Sequence, residues 1–95
     1  MNDDDKLDRA IARAAQAEAL LRNELLQEAF SALDAEYVRA WRVTPARDTE
    51  AREKLWQGVN VVGLVRQHLV SIVSNGKLAQ AELEQMTDVR TRRAD

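Results

Sequence analysis

The sequence predicts an all-α protein organised around an antiparallel helical hairpin, and three observations predict it. Apolar residues recur at helical spacing over residues 24 to 43 and again over residues 49 to 74, the one Pro falls between those segments, and only three Gly serve the whole 95-residue chain. So few turn residues leave no basis for an all-β fold. Of the 45% of residues that are hydrophobic, 15 are Ala, which favours helix but buries little area, so long, closely packed helices are expected rather than a thick core. A chain of this length fits one domain, expected here as a helical bundle.

Residues 1 to 22 predict an N-terminal helix. Asp3, Asp4 and Asp5 suit the positive end of a helix dipole, and Leu7, Ile11, Ala14 and Leu21 make a thin apolar stripe interrupted by Glu18. Asn23 can cap a new helix with its short side chain, so a break there competes with one straight helix of roughly 40 residues. In either case this segment is expected to lean on something outside the hairpin.

The first hairpin helix, about 24 to 43, carries Leu26, Phe30, Leu33, Tyr37 and Trp41 on one face. It should stop at Thr44-Pro45, because the Pro ring disfavours helical geometry at the preceding residue and removes a backbone donor. Asp48 or Thr49 then caps the second helix, about 49 to 74, which is expected to end at Asn75-Gly76 with Gly in the left-handed conformation. Between Val59 and Val73 nine of fifteen positions are Val, Leu or Ile, so this helix should need cover on two sides. Val59, Val61, Val62 and Val65 also suit a short strand, but the helical spacing on both flanks argues against one. After Gly76 a short helix over about 77 to 90 is expected, followed by a frayed basic tail over 91 to 95.

Folding back at Pro45 sets Trp41 by Leu55 and Trp56, Tyr37 by Val59, Leu33 by Val62 and Gly63, and Leu26 by Leu69 and Val70. The expected hairpin core is therefore Leu26, Phe30, Leu33, Tyr37, Trp41, Leu55, Trp56, Val59, Val62 and Leu69. The remaining apolar positions Val61, Leu64, Val65 and Ile72 form a candidate oligomer face. Gly58 and Gly63 are either points of close helix approach or tolerated surface glycines.

No catalytic, cofactor-binding or metal site is expected. There is no Cys, and His68 has only Leu64, Val65, Ser71 and Ile72 at the spacings where a second helical ligand would stand. Carboxylates such as Glu82 and Glu84 lie in stretches that look solvated, and no phosphate loop, nucleophile elbow or calcium loop occurs. An enzyme is therefore not expected. The lack of Cys also removes any need for an oxidising compartment, and neither a secretory signal nor a run of apolar residues long enough to span a membrane is apparent.

A net charge of -2 argues against a surface tuned throughout to polyanions. Local basic groups exist: Arg39, Arg42, Arg47, Arg52 and Lys54 beside Trp41 and Trp56, and Arg90, Arg92 and Arg93 near the end. Glu36, Asp48, Glu50 and Glu53 interleave with the first group and cancel much of its field. The candidate nucleic-acid contacts are Arg42, Arg47, Arg52, Arg90, Arg92 and Arg93.

Over about residues 24 to 83, the elements Glu28-Ala29-Phe30, Tyr37, Ala40-Trp41-Arg42, Asp48, Arg52-Glu53-Lys54-Leu55-Trp56, His68-Leu69 and Asn75-Gly76-Lys77-Leu78-Ala79 resemble a group of small, functionally uncharacterised helical proteins of tailed bacteriophages and prophages. The resemblance implies a phage context, in the bacterial cytoplasm or the virion, and carries over no activity and no binding residue. The acidic, Ala-rich N-terminus lies outside it. The expected function is a non-enzymatic assembly or adaptor protein that forms homo-oligomers and contacts other phage or host proteins in virion assembly or DNA packaging. A nucleic-acid-binding packaging or regulatory accessory and an inhibitor of a host protein are the alternatives.

Overall fold

The computed structural model describes residues 3 to 94, which form three helices and, among those residues, no strand. Helix α1 spans Asp3–Arg22, α2 spans Glu24–Val43 and α3 spans Thr49–Ala94. Asp95, the last residue of the expected frayed tail, lies outside the described residues, as do Met1 and Asn2.

The break at Asn23 has a local cause. Its backbone is extended (φ -67°, ψ 119°), and its side-chain oxygen accepts the Leu26 N–H at 2.9 Å, satisfying a donor that the first turn of α2 leaves without a helical partner. Gln27 completes the joint. Its backbone N–H reaches Asn23 O at 3.0 Å, and its amide donates to Leu21 O at 2.8 Å, one of the carbonyls freed where α1 ends. One residue thus separates two helices.

At the other end of α2, Thr44 takes the extended backbone that a following Pro demands (ψ 126°). Its hydroxyl donates to Ala40 O at 2.6 Å and its N–H to the same carbonyl at 3.1 Å. The chain turns through Pro45 to Asp48, whose N–H reaches Pro45 O at 3.0 Å and whose carboxylate accepts the Ala51 N–H at 3.1 Å. Asp48, rather than Thr49, is therefore the cap of α3. Behind it, Glu50 pairs with Lys54 at 3.4 Å across one turn.

Helix α3 does not stop at Asn75-Gly76. It runs for 46 residues without a break, so the expected end at 74, the separate helix over 77 to 90 and the frayed segment from 91 are replaced by one helix through Ala94. No glycine has positive φ, so Gly76 is not a left-handed terminator. It is buried, and a methyl group on it would overlap the side chain of Ala14 and come within 3.2 Å of Ala10 O. The residue serves close approach of α1 to α3.

The chain divides into two compact units that share α3. The first comprises residues up to Leu20 together with those from Leu69 onward; the second comprises Leu21–His68. In the first unit, Ala14 meets Gly76, Ala17 and Ala79 are buried, and Arg90 bridges to Asp4 at 3.1 Å. Small side chains let the two backbones come close, so the thin apolar stripe of α1 suffices to hold it there. In the second unit, Trp41 meets Arg52, Tyr37 meets Gly58 and Phe30 meets Arg66.

Candidate functional site

The sequence placed ten side chains in a core, and the structure buries one of them. Phe30 is the only side chain larger than Ala that is buried among the described residues, with the guanidinium of Arg66 4.9 Å from its ring centre. Leu26, Tyr37, Leu55, Val62 and Leu69 are half-buried, whereas Leu33, Trp41 and Val59, also expected in the core, are exposed. Trp56 is corrected outright: at 62% exposure it belongs to the surface, because its neighbour Leu55 takes the inward position and the next residue of a helix points about 100° away.

The Val-rich stretch is likewise not sheathed on two sides within its unit. Leu64 and Val65 stand three and four residues after Val61, so the three share one flank of α3, and they are 62%, 49% and 58% exposed respectively. Ile72, expected with them, is half-buried in the other unit. On a different flank, Trp56, Asn60 and Gly63 follow at spacings of 4 and 3, with Val59 beside them. From Trp56 to Val65 no residue carries a formal charge. Within one turn, Val61 has no Asp, Glu, Lys or Arg, whereas Trp56 has Glu53 and Lys54, Leu64 and Val65 have Arg66, and the exposed Leu25, Val38, Val43, Leu78 and Val89 each have such a neighbour as well.

The three glycines separate into two kinds. A Cβ on Gly58 would lie 2.6 Å from Cε1 and 2.9 Å from the hydroxyl of Tyr37, so the ring occupies the space that a side chain would fill. Gly76 serves Ala14 in the same way. At Gly63 a Cβ would meet nothing within 4 Å. A mid-helix Gly costs about 1 kcal/mol relative to Ala, so the first two have an internal justification and the third has none among the described residues.

The candidate nucleic-acid arginines do not form one surface. Arg52 is half-buried and turned inward: its guanidinium lies 3.7 Å from the Trp41 ring centre and donates to Thr44 O at 3.1 Å and Trp41 O at 3.4 Å. A cation at the carbonyl end of α2 is favourably placed against the helix dipole and the indole face. Arg90 is paired with Asp4. Arg42 and Arg47 are exposed near the turn, with Arg42, Arg39, Val38, Ala35 and Asp34 lining a shallow groove on α2. Arg92 and Arg93 are exposed on the last turns of α3.

Among the described residues no group of His, Cys, Asp and Glu is arranged to hold a metal ion, and no helix is long and apolar enough to cross a membrane. Shallow grooves occur beside Glu82, Met86 and Arg93, and between Ile11, Glu18, Val73 and Lys77, where apolar lining predominates. Neither gathers a nucleophile with a base. The feature that sets the second unit apart is its uncharged, exposed apolar surface on α3. No family model matches the chain, and no curated protein or solved structure matches it either.

Proposed function

We propose that this chain is a non-enzymatic helical assembly protein that works by associating with copies of itself, with α2 and the first part of α3 acting as a hairpin that contributes to a shared helical bundle. One observation carries the reading: Trp56, Val61, Leu64 and Val65 stand exposed on a helix whose own unit buries only Phe30. Fully burying a Val, Leu or aromatic side chain contributes roughly 1.5 to 3 kcal/mol. Covering what is left open on these four in every copy is a driving force for association. The depletion of charge over the same stretch matches the centre of a protein–protein interface.

The resemblance to small phage and prophage proteins supports a phage context, within the bacterial host or the particle, and virion assembly or DNA packaging is the role proposed there. The test is solution mass by sedimentation equilibrium across a wide concentration range, paired with Leu64→Lys. The expected result is a multiple of the 10.7 kDa chain mass that falls toward one chain in variants carrying charge on α3.

A nucleic-acid role would rest on Arg42, Arg47, Arg92 and Arg93, since Arg52 and Arg90 are committed to internal partners. Retention on duplex DNA at ~50 mM salt, lost as salt rises, is the outcome that would favour it, because phosphate contacts weaken through counterion release.

A further inference from the structure

We propose that self-association is two-fold and antiparallel, with Trp56 of each copy seated over Gly63 of the other. The inference rests on the self-assembly reading above and gives a register for the Trp56, Asn60 and Gly63 flank of α3, while Val61, Leu64 and Val65 stand on a different flank and take no part in this contact.

Four observations lead to it. Gly63 is a mid-helix glycine that no contact among the described residues explains, since a Cβ there meets nothing within 4 Å, while the glycines at 58 and 76 each receive a neighbour. Trp56 is one of the two Trp of the protein and, at 62%, the more exposed of them. The two residues are seven apart, which is two helical turns less about 20°, so they stand on one face about 10 Å apart along the axis. Lastly, the protein already packs an aromatic ring into the space above a glycine, with Tyr37 at Gly58.

A protruding ring and a notch on one face, separated by a fixed distance, are self-complementary only when a second copy runs in the opposite direction. Centring the pair between Val59 and Asn60 sets Trp56 level with Gly63 of the second copy, and the reverse contact follows by symmetry. A parallel pair would set Trp56 against Trp56 and Gly63 against Gly63, a collision followed by a void. In the antiparallel pair Asn60 falls beside the axis, where two side-chain amides can hydrogen-bond to each other and fix the register, as a single buried Asn does in coiled coils. The intervening residues carry no formal charge, so no ion is stripped of water without a partner.

The absence of Cys makes the test direct, because an introduced thiol reports only on its own position. In the full-length chain, Asn60→Cys should form a disulfide-linked dimer under mild oxidation, whereas Gln67→Cys, on the same face but displaced from the axis, should not. Gly63→Leu should weaken association at least tenfold by filling the notch, while leaving helix content intact, since nothing in the chain opposes the new side chain. Trp56→Ala should weaken it comparably. If the chain associates but Gln67→Cys cross-links as readily as Asn60→Cys, or Gly63→Leu leaves the mass unchanged, this register is wrong and self-assembly stands. If the chain sediments as one copy at every concentration, self-assembly and the register both fail, and the notch belongs to some other occupant.

Discussion

Gly76 and Ala14 lie so close that α1 and α3 are in near-backbone contact at that point, with Ala10 O 3.2 Å from where a Gly76 side chain would begin. Ordinarily Gly→Ala in a helix interior gains about 1 kcal/mol. Here the obstructing atoms belong to another helix backbone and its first side-chain carbon, which cannot swing aside. Gly76→Ala should instead cost about 1 to 3 kcal/mol through overpacking. Amide hydrogen exchange locates the effect, which should be faster exchange in α1 with α2 unchanged.

Tyr37 and Gly58 couple differently, because the obstructing group is the end of one side chain. Gly58→Ala alone should be near neutral or destabilising as the ring is displaced. In a Tyr37→Ala background the same change should stabilise by about 1 kcal/mol, the helix-propensity value. A double-mutant cycle in urea should then give a coupling on the order of 1 kcal/mol between the two positions.

Arg52 should contribute to stability rather than to any ligand. Replacing it with Ala removes the contact with the Trp41 face and leaves Thr44 O without its donor, a loss of roughly 1 to 2 kcal/mol. Lys should recover only part of this, since one ammonium group cannot lie flat on the indole and donate to two carbonyls as the guanidinium does. Thermal denaturation of the wild type, Arg52→Lys and Arg52→Ala should rank them in that order.

The cap at Asn23 is a separate, local contribution. Asn23→Ala should cost about 1 kcal/mol, while Asn23→Asp should be tolerated, because a carboxylate still accepts the Leu26 N–H and suits the positive end of α2. Far-UV circular dichroism during denaturation should show the Ala variant melting first.

The all-helical class and the stop of α2 at Pro45 were legible in the sequence, while Asn23 was legible only as one of two alternatives, a cap or a point inside one straight helix, and the start of α3 only as Asp48 or Thr49; the side-chain contacts of Asn23 and Asp48 decide both. The continuity of α3 was not legible. An Asn-Gly pair after an apolar run has two physical meanings, a left-handed terminus or a point of close approach, and only the placement of Ala14 selects the second. The same holds for Trp56. Leu55 and Trp56 are adjacent and both apolar, so periodicity admits either as the inward residue, and the larger one lies outside. The engagement of Arg52 with Trp41 was hidden for another reason, since the two stand eleven positions apart across a turn whose geometry the residue pattern does not specify.

The account depends above all on α3 of one chain being covered by α3 of another. Sedimentation equilibrium of the wild-type chain from low to high micromolar concentration measures this most directly. The account predicts an average mass that climbs from near 10.7 kDa to a whole-number multiple of it. A cooperatively folded chain that stays at the single-chain mass throughout would contradict it.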